Sequence, residues 1–498
     1  MKVLNLMCFS NINCKKIIGK LIILYLFLPS ILFAGDENII LPDMGDSSSN
    51  VFSQKYEKRL SQMFMKQIRR FSVIFDDPEI ESYIQSLGSN LVSNSENAKQ
   101  SFKFMVINDS SINAFAGPGG IIGINSGVIL HSTDESALAG VVAHEIAHVT
   151  QKHLARAFEE AKKYSLPTAA AMIGALIMAT QNPSAGQAML SGISGLNTQN
   201  QINFTRDNEE EADRIGLKLL EKSGYNPRSV PVFFEKLQKI SKFTQTDTPE
   251  YFRTHPLTTS RIADARSRAE SYPKKLFSNS HGYELVRHKL IAMTMKKPKD
   301  AILFLRNKLE ENKSGLKSEL YIRYGLAYAY LLDNAFSHAN QQVKHLLKND
   351  DSDPAFLLLA ARLSSAQSNY ESALDIYAKA YGLYPEHKPI LVAYTRALID
   401  VEKAKEAREI IKHYERYHPH DLNSYSLLGQ VEAMLGNEIE TAIIHSEYYY
   451  LSGETRLAIE KLKFIKQRYK MDYYQEQRVM ARLSELEYEF ELEKDIKL

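Results

Sequence analysis

The sequence predicts a mainly α-helical protein in two parts: a domain of helices with a small sheet, then an all-α array of paired helices. Three observations predict it. Two helical segments, VVAHEIAHVTQKH from Val141 and FTRDNEEEADRIGLKLLEKSG from Phe204, carry histidines and carboxylates at helical spacing. An apolar, partly β-branched run, Ile121 to Ile129, follows the turn signal Pro118-Gly119-Gly120 and reads as a strand. From about Glu284, small residues recur with a period of 34 residues.

The chain opens with Lys15, Lys16 and Lys20 ahead of an apolar run, Leu21 to Phe33, and a small-residue pair, Ala34-Gly35. This is the layout of a secretory signal peptide over residues 1–34, cleaved near Ala34. A retained anchor is the alternative, although the 13 residues from Leu21 to Phe33 are short for a membrane span. Cys8 and Cys14 both fall in this segment, so the mature chain has no thiol and can form no disulfide. The domain that follows is placed at residues 35–275 and the helical array at 284–498.

Ser132-Thr133-Asp134-Glu135 reads as a capping box, Ser132 the N-cap and Glu135 at N3. His144 and His148 follow, four residues apart and so on one helix face. Two imidazoles placed this way can both reach one Zn²⁺. Glu145 sits one step round the helix. It is poorly placed as a ligand but able to take a proton from water that a metal has acidified. The bland alternative is a buried helix with hydrogen-bonded histidines, and a third ligand would decide between them. His131 and His153 lack ligand spacing and read as structural or surface residues.

Between the two helices, the stretch SLPTAAAMIGALIMATQNPSAGQAMLSGISG (165–195) holds one run apolar on all faces, Ala169 to Ala179, which is too short to span a membrane. It reads as a buried core helix, or else as a glycine-jointed lid or patch in peripheral membrane contact.

In the second segment Ala212, Ile215, Leu219 and Leu220 recur at helical spacing. Thr205, Asp207 and Asn208 are candidate N-caps, and Gly224 is a natural C′ residue. Glu209 can complete a His₂Glu set with the fourth position open, Glu210 being the runner-up. Asp213, one turn on, can accept the free ring N–H of a ligand histidine. Glu210 and Glu211 also suit a helix N-terminus, where the dipole favours acidic residues.

In the array, Ala339, Ala373 and Ala407 are 34 residues apart and Ala442 follows after 35. That is the tetratricopeptide period, with small residues where the paired helices pack closely. Such an array offers a concave binding face and carries no catalytic constellation. A net charge of +2 without a basic tract argues against nucleic acid as a partner.

HEIAH followed by EEEAD resembles the gluzincin metallopeptidases, the type that includes the CAAX prenyl endopeptidases. The resemblance implies a zincin-like α+β domain with one zinc per chain. It implies His144, His148 and Glu209 as ligands, with Glu145 and Asp213 serving catalysis. NAFA, HEIAHVTQKHLAR, EEEADRIG, the THPL…SRxADAR segment and the repeats are together similar to one branch of that family, periplasmic proteases of Gram-negative cells. That likeness implies an endopeptidase with chaperone-like activity. Its clients would be outer-membrane β-barrel proteins and their assembly machinery, met through the repeats. It further implies that Asn113 and Ala114 hold peptide substrate by backbone contacts, and that His255 is a regulatory fourth ligand. The rival reading is a repeat-based chaperone or scaffold with a latent zinc site.

Overall fold

The computed structural model describes residues 54–162, 198–243, 251, 254–312, 315–418 and 421–494. The signal segment 1–34 and the apolar stretch 165–195 lie outside the described residues.

Helices α1 (Gln54–Phe71) and α2 (Pro78–Ser93) come first. Asp77 starts α2, its Oδ1 accepting from the backbone of Glu79 at 3.0 Å and Ile80 at 3.2 Å, with Pro78 at the first helical position. Ile80, Ile84, Leu87 and Leu91 form its buried stripe. Strands β1 (Lys103–Ile107), β2 (Ala114–Gly117) and β3 (Ile121–Asn125) make one small sheet in the order β1-β3-β2. β1 runs parallel to β3 and β2 antiparallel, so Ala114 faces Ile124 and β2 is an edge. The tight turn between β2 and β3 needs Gly119 (φ 70°) and Gly120 (φ 74°) in the left-handed region.

The strand expected over Ile121 to Ile129 stops at Asn125. The Ser126 hydroxyl and the Gly127 N–H both donate to the Asp109 carbonyl at 2.9 Å, which turns the chain out of the ladder and into helix α3 (Ser126–His131). The expected capping box is also corrected. Ser132 ends α3, its hydroxyl donating to the Val128 carbonyl at 2.7 Å. Asp134 caps helix α4 (Glu135–Thr150), accepting from Ala137 N at 2.9 Å. Glu135 instead accepts from the Ser280 N–H and hydroxyl at 2.6 and 2.7 Å.

Helices α5 (His153–Lys162), α6 (Thr198–Lys222), α7 (Ser229–Phe243) and α8 (Thr259–Ser271) complete the first domain. Because α6 begins at Thr198, Thr205, Asp207 and Asn208 lie inside it and cap nothing, and Glu210 and Glu211 are not first-turn residues. Its end is as expected, with Gly224 at φ 83°. α4 is the central element. Leu138, Val142, Ala143, Ile146 and Ala147 on it are wholly buried against α6, α7 and the sheet. Each large aliphatic side chain so buried contributes roughly 1.5–3 kcal/mol.

Helix α9 (His281–Thr294) belongs to both parts. Tyr283, Val286 and Leu290 enter the first core, Leu285 and Ile291 the second. Then come α10 (Pro298–Glu310), α11 (Leu316–Leu332), α12 (Phe336–Asn349), α13 (Pro354–Ala366), α14 (Tyr370–Leu383), α15 (Lys388–Asp400), α16 (Ala404–Tyr417), α17 (Leu422–Met434), α18 (Glu438–Leu451), α19 (Thr455–Arg468) and α20 (Tyr473–Lys494). Ala339, Ala373, Ala407 and Ala442 are all buried, one on the second helix of each successive pair. The turn inside each pair shows the same period. Asn334, Ser368, Glu402 and Gly436 have φ of 57°, 59°, 60° and 74°, at steps of 34 residues.

The inner face of this array is not open along its length. The first turn of α2 enters it. Glu79 accepts from Tyr324 of α11 at 2.8 Å and lies 2.6 Å from Arg362 of α13 and 2.5 Å from Lys289 of α9. Glu81 lies 2.9 Å from Lys388 of α15. The array is thereby keyed to the first domain by charge as well as by the shared helix α9.

Candidate metal centre

Four side chains from three elements converge. His144 and His148 come from α4, Glu209 from α6, and His255 from the segment before α8. One ligand atom of each lies within 4.8 Å of all the others. His144 Nε2 is 3.0 Å from His148 Nε2 and 3.3 Å from Glu209 Oε2. His148 Nε2 is 3.4 Å from Glu209 Oε1. His255 Nδ1 is 3.0 Å from Glu209 Oε1 and 3.3 Å from His144 Nε2. Such closeness between α4 and α6 depends on Gly216, where a Cβ would stand 3.2 Å from the backbone nitrogen of His144.

The helical period puts both histidines on the α6 side of α4, and a long-range packing event supplies the carboxylate. Glu210, the alternative ligand, is exposed and pairs with Arg206 at 3.1 Å. Asp213 Oδ1 lies 3.0 Å from His144 Nδ1, the nitrogen that faces away from the cluster. Glu145 is 1 % exposed, and its oxygens accept no hydrogen bond among the described residues; His255 Nε2 is 3.3 Å away.

The electrostatics favour a cation. Burial opposes a charged His144, yet Asp213 and Glu209 hold its pKa up at about 10. Burial would raise Glu209, but His255 and His148 beside it keep it well below the ordinary carboxylate range. Burial pushes Glu145 up and His148 well down. Against burial, His144 and Arg261 hold Asp213 down. Two neutral-capable imidazole nitrogens and a carboxylate, facing one another with an unsatisfied carboxylate beside them, suit a divalent metal with nitrogen and oxygen ligands.

Sequence reasoning passed over Arg261. Only 2 % exposed, it reaches Asp213 with Nε at 2.7 Å and Nη2 at 2.9 Å, Glu209 with Nη1 at 2.9 Å, and the Pro256 carbonyl at 2.8 Å. An arginine six residues after His255 was the available signal. His153, expected to be structural or surface, is buried against His148, whereas His131 is exposed. Asn113 is buried just before β2, its Oδ1 accepting from the Thr254 hydroxyl at 3.2 Å, and Ala114 begins the edge strand. The Ile112 carbonyl accepts from Tyr251 N at 3.0 Å. The His255 segment is thus moored to the residues that lead into the sheet edge.

Comparison with known proteins agrees with this geometry. Residues 78–269 match peptidase family M48, and residues 365–431 match a tetratricopeptide repeat. The β-barrel assembly-enhancing protease of Escherichia coli (strain K12) is 33% identical over 447 residues, 90% of this chain and 91% of that protein. Its counterpart in Yersinia pestis is 30% identical over the same shares. The mitochondrial metalloendopeptidase OMA1 of Arabidopsis thaliana is 30% identical over 156 residues, 31% of this chain and 29% of that one. With both zinc-type motifs brought into one cluster and this likeness running nearly end to end, the chain belongs to the repeat-bearing β-barrel assembly-enhancing proteases of peptidase family M48, zinc metalloendopeptidases.

Proposed function

We propose that this chain is a periplasmic endopeptidase with chaperone-like activity that acts on outer-membrane β-barrel proteins during their assembly and removes misassembled ones. The observation that carries the peptidase half is the four-residue cluster with the unsatisfied, buried Glu145 beside it. The client half rests on likeness to the β-barrel assembly-enhancing proteases. The signal-peptide layout of residues 1–34 supports export, and no described helix is long and apolar enough to cross a membrane.

His144, His148 and Glu209 would hold the zinc. When bound there it supplies Lewis-acid chemistry, acidifying water and polarising a peptide carbonyl. Glu145, kept from ionising too readily by its burial, takes the proton from the attacking water and returns it to the leaving amine. Asp213 Oδ1, 3.0 Å from His144 Nδ1, would draw the ring proton to that nitrogen and so leave Nε2 as the ligand nitrogen. Asn113 and Ala114 stand at the sheet edge, where an extended peptide can add as a strand. His255 stands in the cluster and would be a fourth ligand; with Thr254 on Asn113 and Tyr251 on Ile112, its segment would close both the metal position and the approach to the edge. This is a resting, latched state, and it also accommodates the reading of a repeat-based scaffold whose zinc site is mostly shut.

Metal content of the purified mature protein tests the ligand set. One zinc per chain, lost in Glu209→Gln and kept in Glu210→Gln, is the expected result. Wild-type protein that is folded and free of zinc would contradict it.

A further inference from the structure

His148 has a second nitrogen, and the structure gives it a partner that the helical repeat alone does not. We propose that His153 is a positioning residue for the metal centre, holding His148 in the ligating tautomer as the inner member of a His148–His153–Glu211 chain. The inference rests on the assignment of His148 as a ligand.

The geometry is as follows. His148 Nε2 faces His144 Nε2 at 3.0 Å and Glu209 Oε1 at 3.4 Å, so Nδ1 points away from the cluster. His153 Nδ1 meets that nitrogen at 2.8 Å. His153 Nε2 lies 3.1 Å from Glu211 Oε2, and Arg156 Nη2 lies 2.6 Å from the same oxygen. The His153 side chain is 6 % exposed and that of Glu211 30 %.

The tautomers then follow from one requirement. A metal ligand nitrogen must be unprotonated, so the proton of a neutral His148 sits on Nδ1. That N–H donates to His153 Nδ1, which must offer a lone pair. The His153 proton is therefore on Nε2, where it donates to the Glu211 carboxylate. Each site has one donor and one acceptor, and the chain closes on a charge that Arg156 neutralises. The outward nitrogen of His144, Nδ1, instead faces Asp213 Oδ1 at 3.0 Å. The two histidine ligands are thus supported by different devices, one a carboxylate and one a carboxylate acting through an imidazole.

In an unbroken helix, positions five apart stand about 140° apart around the axis and do not touch. Here α4 ends at Thr150, and Lys152 takes φ 54°, a left-handed conformation that costs a non-glycine residue roughly 1–2 kcal/mol. That turn starts α5 in a direction that returns His153 to His148.

The test is zinc affinity, read by competition with a chelator, beside the thermal denaturation of the metal-free protein. His153→Leu keeps the bulk and removes the acceptor; His153→Asn keeps an acceptor close to the Nδ1 position. Zinc should bind about ten- to hundredfold more weakly in His153→Leu and recover in His153→Asn. The two metal-free proteins should melt alike, which a purely structural role would not give. Wild-type zinc affinity in His153→Leu would overturn the proposal, as would equal losses in the Leu and Asn variants. Where His153→Leu does not fold, Glu211→Gln at the more exposed end decides: weaker zinc binding supports the chain and unchanged binding overturns it. Retention of zinc after His148→Ala would overturn the ligand assignment, and this inference with it, whereas a normal His153→Leu would overturn this inference alone.

Discussion

Arg261 Nη1 lies 2.9 Å from Glu209 Oε2, the guanidinium 1 % and the carboxylate 4 % exposed. This pair ties the segment that carries His255 to the helix that carries the third proposed ligand. The same guanidinium also holds Asp213. Removing it leaves two buried carboxylates facing each other's field. Arg261→Ala should therefore destabilise the metal-free protein by about 3–5 kcal/mol, as loss of one partner of a buried pair does. Arg261→Lys should recover little of this, because an ammonium cannot fork across both carboxylates. Denaturant unfolding of the metal-free variants measures both.

His255→Ala should raise cleavage of an unstructured peptide, because the side chain that stands in the cluster is gone. Thr254→Val should act in the same direction and more weakly, since it removes the hydroxyl's contacts to Asn113 Oδ1 and the Tyr251 carbonyl but leaves His255 in place. The open fraction rises about tenfold for each 1.4 kcal/mol of latch stabilisation lost. Steady-state cleavage rates at equal zinc content check this, and unchanged rates in His255→Ala would argue against a latch.

Glu145→Gln should lower kcat by about 10²–10⁴-fold, the range for removal of a general base. Zinc content should be unchanged, because neither Glu145 oxygen is part of the convergent ligand cluster. Single-turnover cleavage beside metal analysis separates the two effects. Rescue of barrel assembly in cells by this variant would favour the scaffold reading.

Glu79 joins the two parts of the molecule at Lys289, Arg362 and Tyr324. Although burial works against its charge, Arg362 and Lys289 depress its pKa below the ordinary value of 4.5. A depressed carboxylate stabilises the folded state fully above its unfolded pKa, and that contribution fades as pH falls below it. The wild type should thus lose stability as the pH falls from about 4.5, while Glu79→Gln, less stable at neutral pH, should lose less over that window. Melting temperatures across the acid range, with limited proteolysis at the α9 junction, report the result.

The left-handed position inside each helix pair gives a stability test free of the metal. Gly436→Ala places a Cβ at φ 74° and should cost about 1–2 kcal/mol. Chemical denaturation with helicity as the signal measures the loss.

The sequence by itself determined what is local. Residues four apart on a helix share a face whatever the rest of the chain does, so His144 with His148, and Glu209 with Asp213, were legible from spacing. The repeat was legible for the same reason, because each unit solves the same packing problem and puts its small residue at the same place. Local signals failed where a neighbour competed for the same group. Ser132 bonds back to α3 and Glu135 to Ser280, so neither forms the box their spacing suggests. Only the tertiary structure decided that Arg261 pins both carboxylates, that a left-handed Lys152 returns His153 to His148, and that the first turn of α2 fills part of the array's inner face. Those contacts join residues distant in the chain or separated by a change of direction. A periodicity carries no information about either, because the free energy that selects them comes from burying charge and apolar surface in one particular packing.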